Sequence, residues 1–195
     1  MSAFALIPAK GQSSRIPGKN TREFHGKPII AYSIETAKAS GLFDRVYVST
    51  DDAGTAAIAR QYGAAVLKRP EALTLDSVGT QDVVRFHAQD GDTVGRAAYI
   101  CCIYATAPLL EPLDLKEGLM LLERYGADYA FSVGTEPLRD AGAYYWGTKI
   151  AFVQSKPLFG PDSLMVPLPE DRCVDINTME DWQRAEHLYA TRVRP

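Results

Sequence analysis

The chain has 195 residues, 46% of them hydrophobic and 23% charged, which suits one domain able to bury a real core. A net charge of −3 argues against bulk attraction to nucleic acid or an anionic membrane. No apolar run approaches the ~18 residues of a membrane span, the first residues lack secretory-signal order, and Cys101, Cys102 and Cys173 form no C-x-x-C, so reduced thiols in a cytoplasmic protein are expected.

In chain order, Ala3–Pro8 reads as a buried first strand, and a cationic, glycine-containing loop follows it. A helix is expected over Pro28–Ala39, with Pro28 at its first position and Gly41 just past its end. Then come a strand Arg45–Ser49, a helix Ala53–Tyr62 stopped by Gly63, and a strand Ala65–Lys68. A helix Thr80–Ala88, a strand Ala98–Ile103 and a helix Leu113–Tyr125 stopped by Gly126 continue the alternation, followed by a strand Tyr129–Val133. The aromatic-rich segment 141–153 breaks the pattern and reads as one or two late, antiparallel strands. The last helix, Met179–Thr191, has one apolar face of Trp182, Ala185, Leu188 and Tyr189, with Thr178 as its N-cap. Alternating strands and helices predict an α/β fold built on a mostly parallel sheet.

The loop Ile7-Pro8-Ala9-Lys10-Gly11-Gln12-Ser13-Ser14-Arg15-Ile16-Pro17-Gly18-Lys19-Asn20 concentrates cations, glycines and hydroxyls at the end of a strand. Such a loop can turn backbone N–H groups and charged side chains toward a polyphosphate. It is not a Walker A motif, because six residues separate Gly11 from Gly18 and Asn20 stands where Ser or Thr would be. The G-x-G-x-x-G dinucleotide fingerprint is also absent, which disfavours a nicotinamide-dependent oxidoreductase. Asp175 and Asn177, two apart at an expected strand end, point to the same side and could ligate a cation or cap the last helix. Asp51-Asp52 reads as a helix N-cap pair, and His25, His87 and His187 show no ligand spacing.

The first loop resembles the I-P-A-R-G-G-S-K-x-I-P-x-K-N signature of the sugar-acid (nonulosonic acid) cytidylyltransferases, relatives of the CMP-sialic acid synthetases. Arg69-Pro70-Glu71-Ala72-Leu73 with Gly79-Thr80 is similar to the family's R-P-x-x-L segment and the hydroxylated turn after it. Val174-Asp175-Ile176-Asn177-Thr178 resembles its D-I-D-T element. Cys101-Cys102-Ile103-Tyr104-Ala105-Thr106-Ala107-Pro108 and Asp140-Ala141-Gly142-Ala143-Tyr144-Tyr145-Trp146-Gly147 are most similar to the pseudaminic acid branch.

This resemblance implies a single Rossmann-like nucleotide-diphospho-sugar transferase domain over residues 1–195, with helices on both faces of the sheet. It implies that CMP passes from CTP to a pseudaminic-type sugar acid, with Mg²⁺ as cofactor and release of pyrophosphate. The implied catalytic cations are Lys10, Arg15 and Lys19, since phosphoryl transfer requires charge neutralisation around the triphosphate. Nucleotide contacts are implied for Ala9, Gly11, Ser13, Lys19, Asn20, Arg69 and Thr80, and the resemblance favours Asp175 and Asn177 as metal ligands.

Against the family pattern, Lys10 replaces an Arg, Gln12 and Ser14 replace a Gly and a Lys, and Asn177 replaces the second Asp. Family members carry an arm of a few tens of residues between the equivalents of Val133 and Asp140, where it crosses a homodimer and brings basic residues to the partner's sugar site. Here only Gly134 to Arg139 remain, so Arg139 and Lys149 are the nearest cations for a sugar carboxylate. The alternative reading is a nucleotide-binding relative with weak or lost catalysis and a regulatory or assembly role.

Overall fold

In a computed structural model, which describes residues 2–91, 95 and 97–193, the apolar runs become strands and the amphipathic runs helices. Strand β1 (Ala3–Pro8) and the cationic loop are followed by a short ribbon of β2 (Glu23–Phe24) and β3 (Lys27–Pro28). Next come α1 (Ile29–Ser40), β4 (Arg45–Thr50), α2 (Ala53–Gln61), β5 (Ala65–Lys68), α3 (Thr80–Gln89) and β6 (Tyr99–Ile103). The chain continues through α4 (Pro112–Tyr125), β7 (Tyr129–Thr135), β8 (Leu138–Thr148), α5 (Lys149–Val153), β9 (Ser163–Pro167) and α6 (Met179–Val193). Seven strands make one sheet in the order β5-β4-β1-β6-β8-β7-β9. Every neighbouring pair is parallel except the two that involve β8.

The alternation of β1 divides the core. Ala3, Ala5 and Ile7 face Ile34 of α1, Ala59 of α2 and Leu122 of α4. Phe4 and Leu6 face Val84 of α3 and Phe152 of α5 on the other side. A strand covered on both faces must be apolar throughout, which is why β1 reads as an unbroken run rather than an alternating one. A third apolar cluster gathers Ile16 of the cationic loop, Phe24, Ile29, Ile176 and Trp182. It fastens α6 and the segment before it onto the first loop, with Trp182 2% exposed and edge-to-face against Phe24 at 5.6 Å. Burying an indole of this size is worth about 4 to 6 kcal/mol by apolar area.

The caps explain the element ends. The Asp52 carboxylate accepts the Thr55 N–H at 2.6 Å and starts α2. Thr178 and Asp181 cap α6 reciprocally, through Asp181 N–H to Thr178 Oγ1 (3.2 Å) and Thr178 N–H to Asp181 Oδ2 (2.7 Å). Pro28 differs from expectation: with ψ 137° it closes β3 and precedes α1 instead of opening it. Segment 141–153 is antiparallel strand only to Thr148. The Thr148 hydroxyl then accepts the Ala151 N–H at 3.1 Å and turns Lys149–Val153 into a helix.

The β7–β8 hairpin closes in a two-residue turn, Glu136 and a cis Pro137, between the paired Thr135 and Leu138. Glu170 holds that turn, accepting the N–H of Thr135 (2.9 Å), the N–H of Glu136 (3.1 Å) and Arg139 Nη2 (2.7 Å). Further along, the ladder jumps from Phe131–Tyr145 to Val133–Asp140, and Ser132 fills the gap by hydrogen bonding to both the N–H and the carbonyl of Tyr144. Gly142 lies in this bulge with φ 59°.

Candidate functional site

The carboxyl ends of β1, β4, β5 and β6 converge on one edge of the sheet, the place where open α/β sheets hold ligands. The cationic loop leaves β1 with Ala9 buried and its N–H donated to Ser49 O at 2.9 Å. Gly11 then passes so near α2 that a Cβ there would stand 2.6 Å from Asp52 Cβ, so glycine alone fits. Its N–H donates to Asp51 Oδ1 at 2.9 Å. Of the expected N-cap pair, therefore, Asp52 caps α2 and Asp51 holds the loop. Asn20 Nδ2 donates to Lys10 O at 2.9 Å, tying the two ends of the loop together, and buried Ile16 anchors its middle.

A cleft of about 210 Å³ opens beside this loop. Lys10, Ser13, Arg15, Lys19 and Asn20 line it from the loop, with Arg69 after β5, Thr80 at the start of α3 and Tyr104 after β6. Gly11 lines an adjoining recess, and Ala9 is packed beneath the surface. Lys19 is half-buried and donates to Ile176 O at 2.8 Å, which locks the loop to the segment that carries Asp175. Burial holds the Lys19 ammonium below the usual lysine value, opposed by the nearby Asp175 carboxylate. Lys10 makes an ion pair with Asp76 across the mouth of the cleft.

Arg69 is only 6% exposed, and its Nε has no hydrogen-bond partner among the described residues. Burial lowers its affinity for a proton and the Asp51 carboxylate opposes that. Beneath it, His87 is 3% exposed and shares a 2.8 Å hydrogen bond with Ser49 Oγ. Burial first, and Arg69 second, bring the His87 imidazole down to about 4.

Asp175 and Asn177 lie in irregular backbone rather than at a strand end, because the cluster around Val174 and Ile176 draws this segment across the first loop. They are nonetheless brought together, with Asn177 Nδ2 donating to Asp175 Oδ2 at 2.6 Å. The bulge in β8 presses Gly142 against Asp175, where a Cβ would meet Asp175 Cγ at 2.5 Å. It also places Asp140 near Asp175. Desolvation by burial, reinforced by the Asp175 carboxylate, raises the Asp140 carboxyl above the ordinary range. Asp140 is the residue that sequence reasoning passed over. Its signal was the Asp-Ala-Gly run, in which the glycine permits the bulge.

No group of three or more His, Cys, Asp or Glu among the described residues is placed to hold a metal. Two neighbouring carboxylates and an amide oxygen are still a hard-oxygen donor set, of the kind that completes a magnesium or manganese shell with phosphate oxygens and water. Two expected cations do not reach the site. Arg139 is drawn to Glu170 by the hairpin, and Lys149 Nζ donates to Gly95 O at 3.3 Å. Among the described residues no helix is long and apolar enough to cross a membrane.

Comparisons with known proteins agree with this architecture. The family profile described as Cytidylyltransferase matches residues 4–172. A pseudaminic acid cytidylyltransferase of Campylobacter jejuni is 32% identical, with 97% of each chain covered. That alignment runs over 224 residues, more than this chain contains, so the relative carries residues without a counterpart here. N-acylneuraminate cytidylyltransferase A of Danio rerio is 30% identical over 93% of this chain and 49% of its own. Among solved structures, CMP:2-keto-3-deoxy-manno-octonic acid synthetase complexed with CTP superposes with a TM-score of 0.77 at 16% identity, covering 99% of this chain and 100% of that one. At that identity the likeness speaks to the fold.

Proposed function

Because the chain belongs to the cytidylyltransferase family and is a CTP-dependent nucleotidyltransferase, we propose that it transfers CMP from CTP to a nonulosonic sugar acid of the pseudaminic type. In this reading a hydroxyl oxygen of the acid attacks the α-phosphorus and gives up its proton to solvent, the bond to the bridging α–β oxygen breaks, and pyrophosphate leaves. The observation that carries the proposal is the cleft lined by Lys10, Arg15, Lys19 and Arg69, with the Asp175 carboxylate near Lys19 and Asp140 near Asp175.

Lys19 is the central cation. Fixed by Ile176 O and partly desolvated, it needs no reordering to meet a phosphate oxygen, and its charge acts in a medium that screens it poorly. Arg15 and Lys10 extend the positive surface, with Lys10 exchanging Asp76 for a phosphate. Asn20 acts one step back, because its amide is committed to holding Lys10 O. Arg69 offers an unsatisfied buried donor to the nucleoside end, next to Thr80.

Asp175 and Asn177, with Asp140 beside them, would hold a divalent cation, Mg²⁺ in our reading. Such an ion would supply charge neutralisation at the phosphate oxygens. Asn177 contributes an oxygen without a charge, so this chain should hold the ion less tightly than a two-aspartate site.

The test is pyrophosphate release from CTP, Mg²⁺ and pseudaminic acid by the purified protein. Turnover supports the proposal and rules out the reading of a catalytically silent binder; CTP binding with no turnover overturns it. Lys19→Ala should weaken CTP binding by about 10- to 100-fold in calorimetry, as expected for a lost charge-assisted bond. Unchanged affinity would refute the role of the loop.

A further inference from the structure

A second cleft, of about 350 Å³, adjoins the first and shares Gly79, Thr80 and Tyr104 with it. It lies on the far side of Thr80 from the cationic loop, between α3, the end of α5 and Asp140. Two cations stand in its wall, Arg85 of α3 and Lys156 just after α5. We propose that Arg85 and Lys156 bind the carboxylate of the acceptor acid within a single chain. This inference rests on the function proposed above and names the residues that select its second substrate.

The cations are built into the fold rather than loose on the surface. Arg85 Nη1 donates to Ser155 Oγ at 2.7 Å and its Nη2 to Asp82 Oδ1 at 2.6 Å. A guanidinium has five donors in a rigid fork, so these bonds fix its plane and leave donors for an incoming carboxylate. Ser155 adopts φ 55°, an uncommon conformation for a residue with a side chain. That turn is pinned by the N–H of Lys156 to Ala151 O (3.0 Å) and by the hydroxyl of Tyr129 to Lys156 O (3.2 Å). Lys156 Nζ is itself oriented by Asp128 at 2.7 Å.

The rest of the wall fits the same ligand class. Phe152, Leu158 and Phe159 give the cleft an apolar side, and Phe159 is 65% exposed although it stacks edge-on against Phe131 at 4.9 Å. A sugar acid with acyl or methyl substituents has a use for both sides, since its carboxylate meets the cations and its apolar groups cover the aromatic wall. Thr80, common to both clefts, sets the acid beside the nucleotide, and Asp140 lines the second cleft alone. The positions expected for this task from the sequence, Arg139 and Lys149, are turned to other partners.

The experiment pairs two readouts on the wild-type protein, Arg85→Ala and Arg85→Lys. The first is calorimetric titration of pseudaminic acid into protein loaded with CMP; the second is pyrophosphate release from CTP and the same acid. Arg85 is partly exposed on a helix surface, so all three proteins should fold. The proposal expects Arg85→Ala to weaken binding of the acid by about 10- to 100-fold, with CTP affinity unchanged and partial recovery in Arg85→Lys. Equal binding by the wild-type and Arg85→Ala proteins, or binding by neither, overturns the subsite. Pyrophosphate release reports separately on the transfer reaction: its absence while Arg85-dependent binding persists overturns the function and upholds the subsite.

Discussion

Protonation of His87 should destabilise this fold, and the size of the effect follows from its surroundings. The imidazole is buried under the site, bonded to Ser49 Oγ and close to Arg69, and its proton affinity falls from the ordinary 6.5 to about 4. The unfolded chain therefore binds a proton first as pH falls, and stability drops between the two values. With the folded value below the unfolded one, the native state is favoured in full above pH 6.5 and is penalised progressively toward pH 4. Linkage gives a loss of about 2 kcal/mol by pH 5 and about 3 kcal/mol by pH 4.

Urea denaturation of wild-type and His87→Gln proteins across pH 4 to 7.5 measures this difference. The substitution keeps a hydrogen-bonding group of similar size, so the two stability curves should converge as pH falls. Subtracting them removes the titration of the carboxylates, which both proteins share. Direct titration of the His87 ring by NMR should give a midpoint near 4. A midpoint near 6.5, or parallel stability curves, would refute the argument.

Two further outcomes concern the carboxylate side of the cleft. Gly142→Ala forces a side chain onto φ 59° and into Asp175, so it should cost about 1 to 3 kcal/mol of stability and lower kcat more than the affinity for CTP; equal kcat by stopped-flow and an unchanged melting temperature would remove the bulge from the site. Asn177→Asp adds a carboxylate beside Asp175 and should tighten Mn²⁺ binding by about tenfold in a paramagnetic relaxation titration, an assay in which no change would dismiss the pair as ligands.

Much of the fold was legible because its strands obey simple rules. β1 and β5 sit where expected, since an apolar run bounded by turn residues has few other uses. The segment Lys149–Val153 misled because Ile, Phe and Val favour strands, whereas the Thr148 cap and local packing made it helical. The cations of the first loop were legible from their density alone, and the structure gathers Lys10, Arg15 and Lys19 in one cleft. Asp140 was not, because its approach to Asp175 depends on a bulge that begins beside it and that only the strand register reveals. Proximity in sequence suggested Arg139 and Lys149, but the pairing of β8 turns Arg139 toward Glu170. Arg85 and Lys156, seventy-one positions apart, meet only because α3 and α5 pack on the same face of the sheet.

The closed end of the β7–β8 hairpin has an evolutionary consequence. Its strands finish pairing at Thr135 and Leu138, and the Glu170 carboxylate fastens the junction from outside the turn. A peptide spliced in at that junction would leave and return at neighbouring points, and once such a loop is long and flexible each further doubling of its length costs only about 0.6 kcal/mol. Lineages can therefore acquire or discard an excursion here as a cassette, without renegotiating the register of the sheet.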